Sequence, residues 1–377
     1  MRCLIEIRKK HLLANLEAFR VRCPDSIIAP VVKSNAYGHG LREIVSILSE
    51  STSLPWLCVN YLAEAQTLRK ELGYSGRILI VGPLAPRDLD MAAALDADLV
   101  VGNEPLLQAW ESARRKPRLH LKVDTGMSRQ GFWLENLAAL IPRLSGENSA
   151  KSHVAGICTH FANVEDVLKF DYPLLQLAKF RSAWELFCGA FPQAIRHASS
   201  SASSLILPES RLDLCRVGIS LYGQWPSELT RVSYLQQNSA LLSLSPVLSW
   251  KTEVDSLKDI AKGSYVGYGC TFRAPQAMRL AILPVGYAEG YPRLAGENKA
   301  HVLLQGSRCQ IIGRICMNMM MIDVSHLDNV LPGEEVILIG QDGDEILSGA
   351  DLGDKSRTID YEILSRLHPD IPKKILD

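Results

Sequence analysis

The chain has 377 residues, 47% apolar and 22% charged, with a formal net charge of zero. That length admits two domains of ordinary soluble composition. The charge balance leaves no basic footprint for nucleic acid or an anionic membrane surface, and no apolar run approaches the ~20 residues that span a bilayer.

The opening MRCLIEIRKKHLL is too short and too interrupted by charge for a secretory leader. Nine cysteines, without a C-x-x-C pair, suit neither a disulfide framework nor a zinc ribbon. The expected compartment is therefore the reducing cytoplasm, with no metal centre.

From residue 8 the chain repeats one unit, a short β-branched run, a polar or glycine-bearing turn and a helix-period segment. The runs are IIAPVVK (27–33), WLCVN (56–60), RILIVG (77–82), DLVVG (98–102), RLHLKVD (118–124), VAGICTHF (154–161), AIRHA (194–198) and LCRVGIS (214–220). Between them, KKHLLANLEAF aligns Leu12, Leu13, Leu16 and Phe19, and LREIVSILSE aligns Leu41, Ile44, Val45 and Leu48. Strands without polar alternation, separated by amphipathic helices, predict a parallel sheet covered by helices. Eight such units predict an N-terminal (β/α)8 TIM-like barrel over 8–237, with a doubly wound open sheet as the alternative.

From about residue 238 β-rich runs take over: VLSWKTEV, RLAILPVGY, HVLLQG, QIIGRICM, MMMIDV and EEVILIG. They predict a C-terminal mainly β domain over 238–377. The surplus strand within residues 1–7 is expected to join it. ADLGDKSRTIDYEILSRL is expected to carry a helix.

A barrel places its chemistry at the C-terminal strand ends. There this sequence sets Lys33 and Tyr37; Lys122, Asp124 and Arg129; His160; His197 with the serines 199–204; and Arg216, Gly218 and Ile219. Each alone is weak, because an end-of-strand cation is usually a solvated rim residue. Together they suggest a site. A partly desolvated lysine has a depressed pKa and can form a Schiff base. Serines beside glycine amides at the last strands suit a phosphate, although a plain polar loop reads the same way. An aldehyde that carries a phosphate, pyridoxal 5′-phosphate, would satisfy both.

At this point VVKSNAYGHG resembles the cofactor-lysine signature of the alanine racemase family, with Ser34 in place of the usual alanine. LKVDTGMSRQG, THFAN, RVGISLYG, YGCTF, VGYAEG, GRICMN and TIDYE resemble further family blocks in the family's order. The resemblance implies the same barrel-plus-β fold and a head-to-tail homodimer with shared active sites. It implies racemisation of a small amino acid, alanine or serine, with D-alanine supplied to peptidoglycan.

By position, the resemblance makes Lys33 the cofactor lysine and one base. Tyr268, from the partner subunit, is the opposite base. Arg129 reaches the cofactor's phenolic oxygen and the substrate carboxylate, and Arg216 the pyridine nitrogen. Tyr37, Ser201, Tyr361 and the amides of Gly218 and Ile219 hold the phosphate. His160 supports Tyr268 and Arg216, the Met317 amide meets the substrate carboxylate, and Tyr287 and Arg293 line the access route. Lys122 is expected to be carbamylated, with Asp124 the only other nearby anion able to orient Arg129. Asn318 stands where the family often has aspartate, which bears on selectivity between alanine and serine.

Two other classes share parts of this pattern. Small cofactor-binding barrels lack the second base and the β domain. Decarboxylases of similar architecture place an acid at the pyridine nitrogen, where Arg216 stands here. An arginine cannot accept the ring proton, so it favours a weaker electron sink, as a racemase needs.

Overall fold

In the computed structural model, which describes residues 2–50, 54–146, 151–165, 170–238 and 242–377, the chain forms two compact units. One comprises His11–Ser34 and Ile44–Ser245. The other comprises Met1–Lys10, Asn35–Glu43 and Pro246–Asp377.

Strand β1, Cys3–Arg8, belongs to the second unit. The first is built on β2 (Ile27–Pro30), β3 (Trp56–Val59), β4 (Arg77–Ile80), β5 (Ala97–Val101), β6 (Leu119–Lys122), β7 (Val154–Cys158), β8 (Ile195–His197) and β9 (Leu214–Val217). Each lies within one of the eight apolar runs or one residue beyond it. β3, β5 and β6 are buried at every position, which is why their sequences show no polar alternation. β3 to β8 pair in parallel in chain order, and β2 pairs in parallel with β9.

Hydrogen bonds close the ring. Val32 N donates to Cys58 O (2.8 Å), while Asp213 N donates to Arg196 O and Arg216 N to Ser199 O (3.2 Å each). The result is an eight-stranded parallel barrel rather than an open sheet. Helices follow the strands, as in Glu104–Ser112, where Asn103 Oδ1 accepts from Leu106 N (3.0 Å) and Leu106, Leu107 and Trp110 turn inward.

Two local expectations are corrected. The helix Lys9–Arg22 buries Leu12, Leu16 and Phe19, but Asn15 is buried where Leu13 was expected. Its amide donates to Leu221 O (3.1 Å) and Ser245 O (2.9 Å) and accepts from Ser245 N (2.9 Å). The strands also stop earlier than their apolar runs. Lys33, His160, Gly218 and Ile219 consequently lie in the turns just past β2, β7 and β9.

The second unit is built on a ten-stranded sheet with β1 near one edge. β1 pairs antiparallel with β10 (Leu248–Glu253) and parallel with the last strand, Lys373–Leu376. Ile5 and Ile7 of β1 and Trp250 of β10 are fully buried. The expected C-terminal helix is two helices, Gly349–Ser356 and Asp360–Ser365. Arg357 separates them in the left-handed conformation (φ 57°), ending the first helix. Among the described residues no helix is long and apolar enough to cross a membrane.

Candidate active site

The turn Lys33–Tyr37 sets the first feature of the site. Ser34, Asn35, Ala36 and Tyr37 all have positive φ, between 52° and 54°. Left-handed backbone costs roughly 1–2 kcal/mol per non-glycine residue, so a run of four needs external support. Part of it lies next to Lys33. Glu64 accepts from Ser34 N (2.5 Å), Asn60 N (2.7 Å) and Tyr61 N (3.0 Å).

In the second unit, Asn35 Oδ1 accepts from Leu41 N (2.8 Å), and Asn35 O accepts from Gly40 N (3.0 Å). His39 is fully buried, and its Nδ1 lies 3.1 Å from both Ala36 O and Tyr37 O. Carbonyl oxygens only accept, so Nδ1 carries the proton. Burial lowers the His39 pKa to about 4. Gly38 (φ 83°) is pressed against the chain, and a Cβ there would lie 1.9 Å from Leu364 O. The GHG that ends the signature is thus structural.

In the barrel unit, the ends of β2, β6, β7 and β9 gather cations. Lys33 is half-buried. Burial lowers its pKa, Arg129 adds to this, and Glu64 opposes it. Lys122 is buried on β6. Burial, followed by Arg216 and Arg129 against the opposing Cys158, brings its ammonium to about 8. His160 is held well below the usual range by burial, and then by Arg216, Lys122, Arg129 and Lys33.

Asp124, the other nearby anion, is engaged by the backbone of its own loop. Its Oδ1 accepts from Gly126 N and Met127 N (2.8 Å each) and Ser128 N (3.1 Å), and its Oδ2 from Arg129 N (3.1 Å). Burial disfavours its charge, yet these four amides more than offset that and hold the carboxyl below its usual range. Asp124 shapes the loop.

Arg216 is fixed by acceptors. Nη1 donates to His197 Nδ1 (2.5 Å) and His197 O (3.1 Å), while Nη2 donates to Thr159 O (2.9 Å) and Ala198 O (3.1 Å). His160 Nδ1 lies 3.4 Å from Nη2. The His160 loop is tied down by fully buried Gln176, which accepts from Ala162 N (2.9 Å) and donates to Thr125 Oγ1 (3.3 Å) and His160 O (3.4 Å). Gln176 and Glu64 carry no motif signal, and only the fold reveals them.

The serines form a buried network. Ser201 Oγ accepts from Gly218 N (2.9 Å), joining the turns after β8 and β9. Ser199 lies 3.2 Å from both Ser203 and Ser210. Buried Ser220 Oγ, in the turn with Gly218 and Ile219, has no hydrogen-bond partner among the described residues.

In the second unit, Tyr37 and Tyr361 stand with ring centroids 6.2 Å apart. Tyr268 is 71% exposed and Met317 56%, and Tyr287 is exposed too. Arg293 pairs with Glu297 (3.4 Å). Asn318 Nδ2 donates to Glu289 Oε1 (2.7 Å), and buried Glu289 also accepts from Gly286 N (2.8 Å). Met317 O accepts from Ala288 N (2.9 Å). Among the described residues no group of three or more histidine, cysteine, aspartate or glutamate side chains could hold a metal ion.

These residues fit pyridoxal 5′-phosphate. Lys33, Lys122, Arg129 and Arg216 concentrate positive charge while Asp124 is consumed by amides. A lysine with a lowered pKa is present, and a buried hydroxyl lies unused beside the serine–glycine turn. An anionic aldehyde suits that donor set.

Comparison with known proteins agrees. Residues 7–226 match the family model "Alanine racemase, N-terminal domain" and residues 247–375 "Alanine racemase, C-terminal domain". An alanine racemase of Leptospira interrogans serovar copenhageni is 38% identical over 377 residues, covering 99% of this chain and 95% of the relative. One from Methanococcus maripaludis is 34% identical over 369 residues, covering 95% and 94%. The alanine racemase structure from D-cycloserine-producing Streptomyces lavendulae superposes with a TM-score of 0.87 at 30% identity, covering 100% and 97%. That from Bacillus anthracis with bound L-Ala-P gives 0.88 at 30% identity, covering 100% and 95%. With both halves matched in order, the chain belongs to the alanine racemase family.

Proposed function

We infer that the protein interconverts L- and D-alanine by moving the Cα proton between opposite faces of the substrate, and that its D-alanine supplies peptidoglycan. The observation that carries this reading is the pairing of Lys33, whose ammonium is destabilised by burial and by Arg129, with an arginine rather than an acid at position 216. When bound, pyridoxal 5′-phosphate withdraws electrons from the substrate and acidifies Cα–H.

The protein's own groups do the rest. Lys33 Nζ holds the cofactor and takes or gives the proton on one face. The Tyr268 phenol does so on the other, from a second copy of the chain in a head-to-tail homodimer. Its exposure leaves the ring available for that. Arg216 donates toward the ring nitrogen without accepting a proton, which limits electron withdrawal and favours return of the proton over loss of carboxylate. Tyr37, Ser201, Tyr361 and the amides of Gly218 and Ile219 hold the phosphate, and His160 supports Arg216 and Tyr268. Arg129 and the Met317 amide orient the substrate carboxylate, and Tyr287 and Arg293 line its access route.

Lys122 carries a carbamate that orients Arg129. Its amine is partly neutral near pH 8 and open to carbon dioxide, while Asp124 is spent on backbone amides. The barrel domain corresponds to the unit His11–Ser34 and Ile44–Ser245, and the β domain to the unit Met1–Lys10, Asn35–Glu43 and Pro246–Asp377. The compartment is the cytoplasm.

The test is incubation of the protein and pyridoxal 5′-phosphate with L-alanine in deuterated water. The expected product is D-alanine labelled at Cα. Carbon dioxide and ethylamine would indicate a decarboxylase, and unchanged alanine a binding protein. Tyr268→Phe should slow racemisation by about 10²- to 10⁴-fold, the usual worth of a proton-transfer group. A full rate in that variant would rule out the second base.

A further inference from the structure

The barrel interior holds a polar chain that the reaction, as described so far, does not use. Asp98 on β5, His120 on β6 and His197 on β8 are all fully buried. Asp98 Oδ2 lies 3.0 Å from His120 Nε2, His120 Nδ1 lies 2.8 Å from His197 Nε2, and His197 Nδ1 meets Arg216 Nη1. Asp98 also accepts from Arg118 Nε (2.6 Å) and from Arg77, both partly exposed. The chain therefore runs from near the start of two strands to the end of β8.

The sheet makes room for it. β6 and β8 are separated by β7, so their side chains start roughly 9–10 Å apart. The β7 residue paired with His120 is Gly156. A Cβ there would fall 2.2 Å from His120 Nδ1. The glycine is what lets the two rings meet, with centroids 4.9 Å apart.

Both ends of the chain have fixed polarity. A guanidinium only donates, so His197 Nδ1 must accept and Nε2 must carry the proton. His120 Nδ1 then accepts from His197, and His120 Nε2–H donates to Asp98, which only accepts. Each histidine is neutral and confined to one tautomer. Flipping either would set two donors or two acceptors face to face at hydrogen-bond distance.

We propose that Asp98, His120 and His197 form a tautomer-locked relay that positions Arg216 for the cofactor from the opposite ends of the barrel strands. Asp98 and His120 are positioning residues, acting through His197. This rests on the reading that Arg216 meets the ring nitrogen. If His197 carried its proton on Nδ1, that hydrogen would point at Nη1 and push the guanidinium off its place.

The test compares two substitutions at one position in the holoenzyme. His120→Asn keeps an acceptor at the δ position for His197 and loses the donor to Asp98. His120→Gln keeps a donor at the ε position for Asp98 and loses the acceptor for His197. Histidine ring nitrogens, ¹⁵N-labelled, are read by long-range correlation between about pH 5 and about pH 8, the range in which an unperturbed histidine changes charge.

In the unsubstituted protein both rings should be neutral, protonated on Nε2 and unchanged with pH. His120→Asn should keep the His197 tautomer and lose less than about threefold in kcat. His120→Gln should redistribute the tautomer, shift the bound cofactor's absorption band and lower kcat about tenfold or more, with the KM for alanine little changed. An Nδ1-protonated His197 in the unsubstituted protein would overturn the proposal. So would the same tautomer, absorption band and kcat in both variants. Correct tautomers in a protein that neither binds pyridoxal 5′-phosphate nor racemises alanine would overturn the functional reading instead.

Discussion

At the scale of single residues, Asn318 shows why a departure from a family pattern must be read with its contacts. Its amide donates to Glu289, which is buried and already accepts from Gly286 N. An aspartate there would face that carboxylate with no proton to give. Asn318→Asp should therefore destabilise the protein by about 1–2 kcal/mol at neutral pH, the usual cost of losing one partner of a buried polar group. Urea denaturation at pH 7 measures this, and a gain in stability would contradict the contact. The neutral side chain reads as a consequence of Glu289 as much as of any substrate preference.

At the scale of elements, the barrel was legible because parallel strands are buried on both faces and leave unbroken apolar runs. The positions of Lys33, Arg216 and Ser201 near strand ends were legible because the apolar runs mark roughly where those strands stop. What stayed hidden followed rules that a linear pattern does not encode. Asp98 and His120 sit inside runs that read as ordinary strand, and only pairing across Gly156 brings His120 to His197. Asn15 occupies a helical position between apolar neighbours, and its partners are 206 and 230 residues away. The left-handed turn carries no glycine until Gly38, so nothing local announced it. At Gly38 itself both conformation and space exclude a side chain. Gly38→Ala should cost about 2–5 kcal/mol, combining the left-handed penalty with overpacking against Leu364. Equilibrium unfolding would show it, and a change below about 1 kcal/mol would mean that the backbone there yields easily.

For the molecule as a whole, histidines held neutral set the acid side of stability. Burial lowers the His39 pKa from 6.5 to about 4, so between those values the unfolded chain binds a proton that the folded one does not. Stability therefore falls as pH drops through that window, by about 3 kcal/mol for this residue. Asp360 acts in the opposite direction. Burial raises its carboxyl from 3.8 to about 6, so the folded state binds the extra proton over a similar range and offsets about one histidine. His120, His160 and His197 are also held below their usual range, and they tip the balance. The urea midpoint should decline steadily from pH 7 to pH 5, and a flat profile would contradict four neutral rings.

The left-handed turn has a further consequence, in the order of synthesis. Gly38 is made early, but Leu364, whose backbone packs on it, is made more than three hundred residues later. Four residues held left-handed do not keep that shape on a growing chain without their support. A nascent chain can therefore carry the Gly38 turn long before the backbone that packs on it exists. The packing around Gly38 is completed only when the last helix has left the ribosome, so a chain interrupted before that point carries the glycine without the backbone it is shaped to meet.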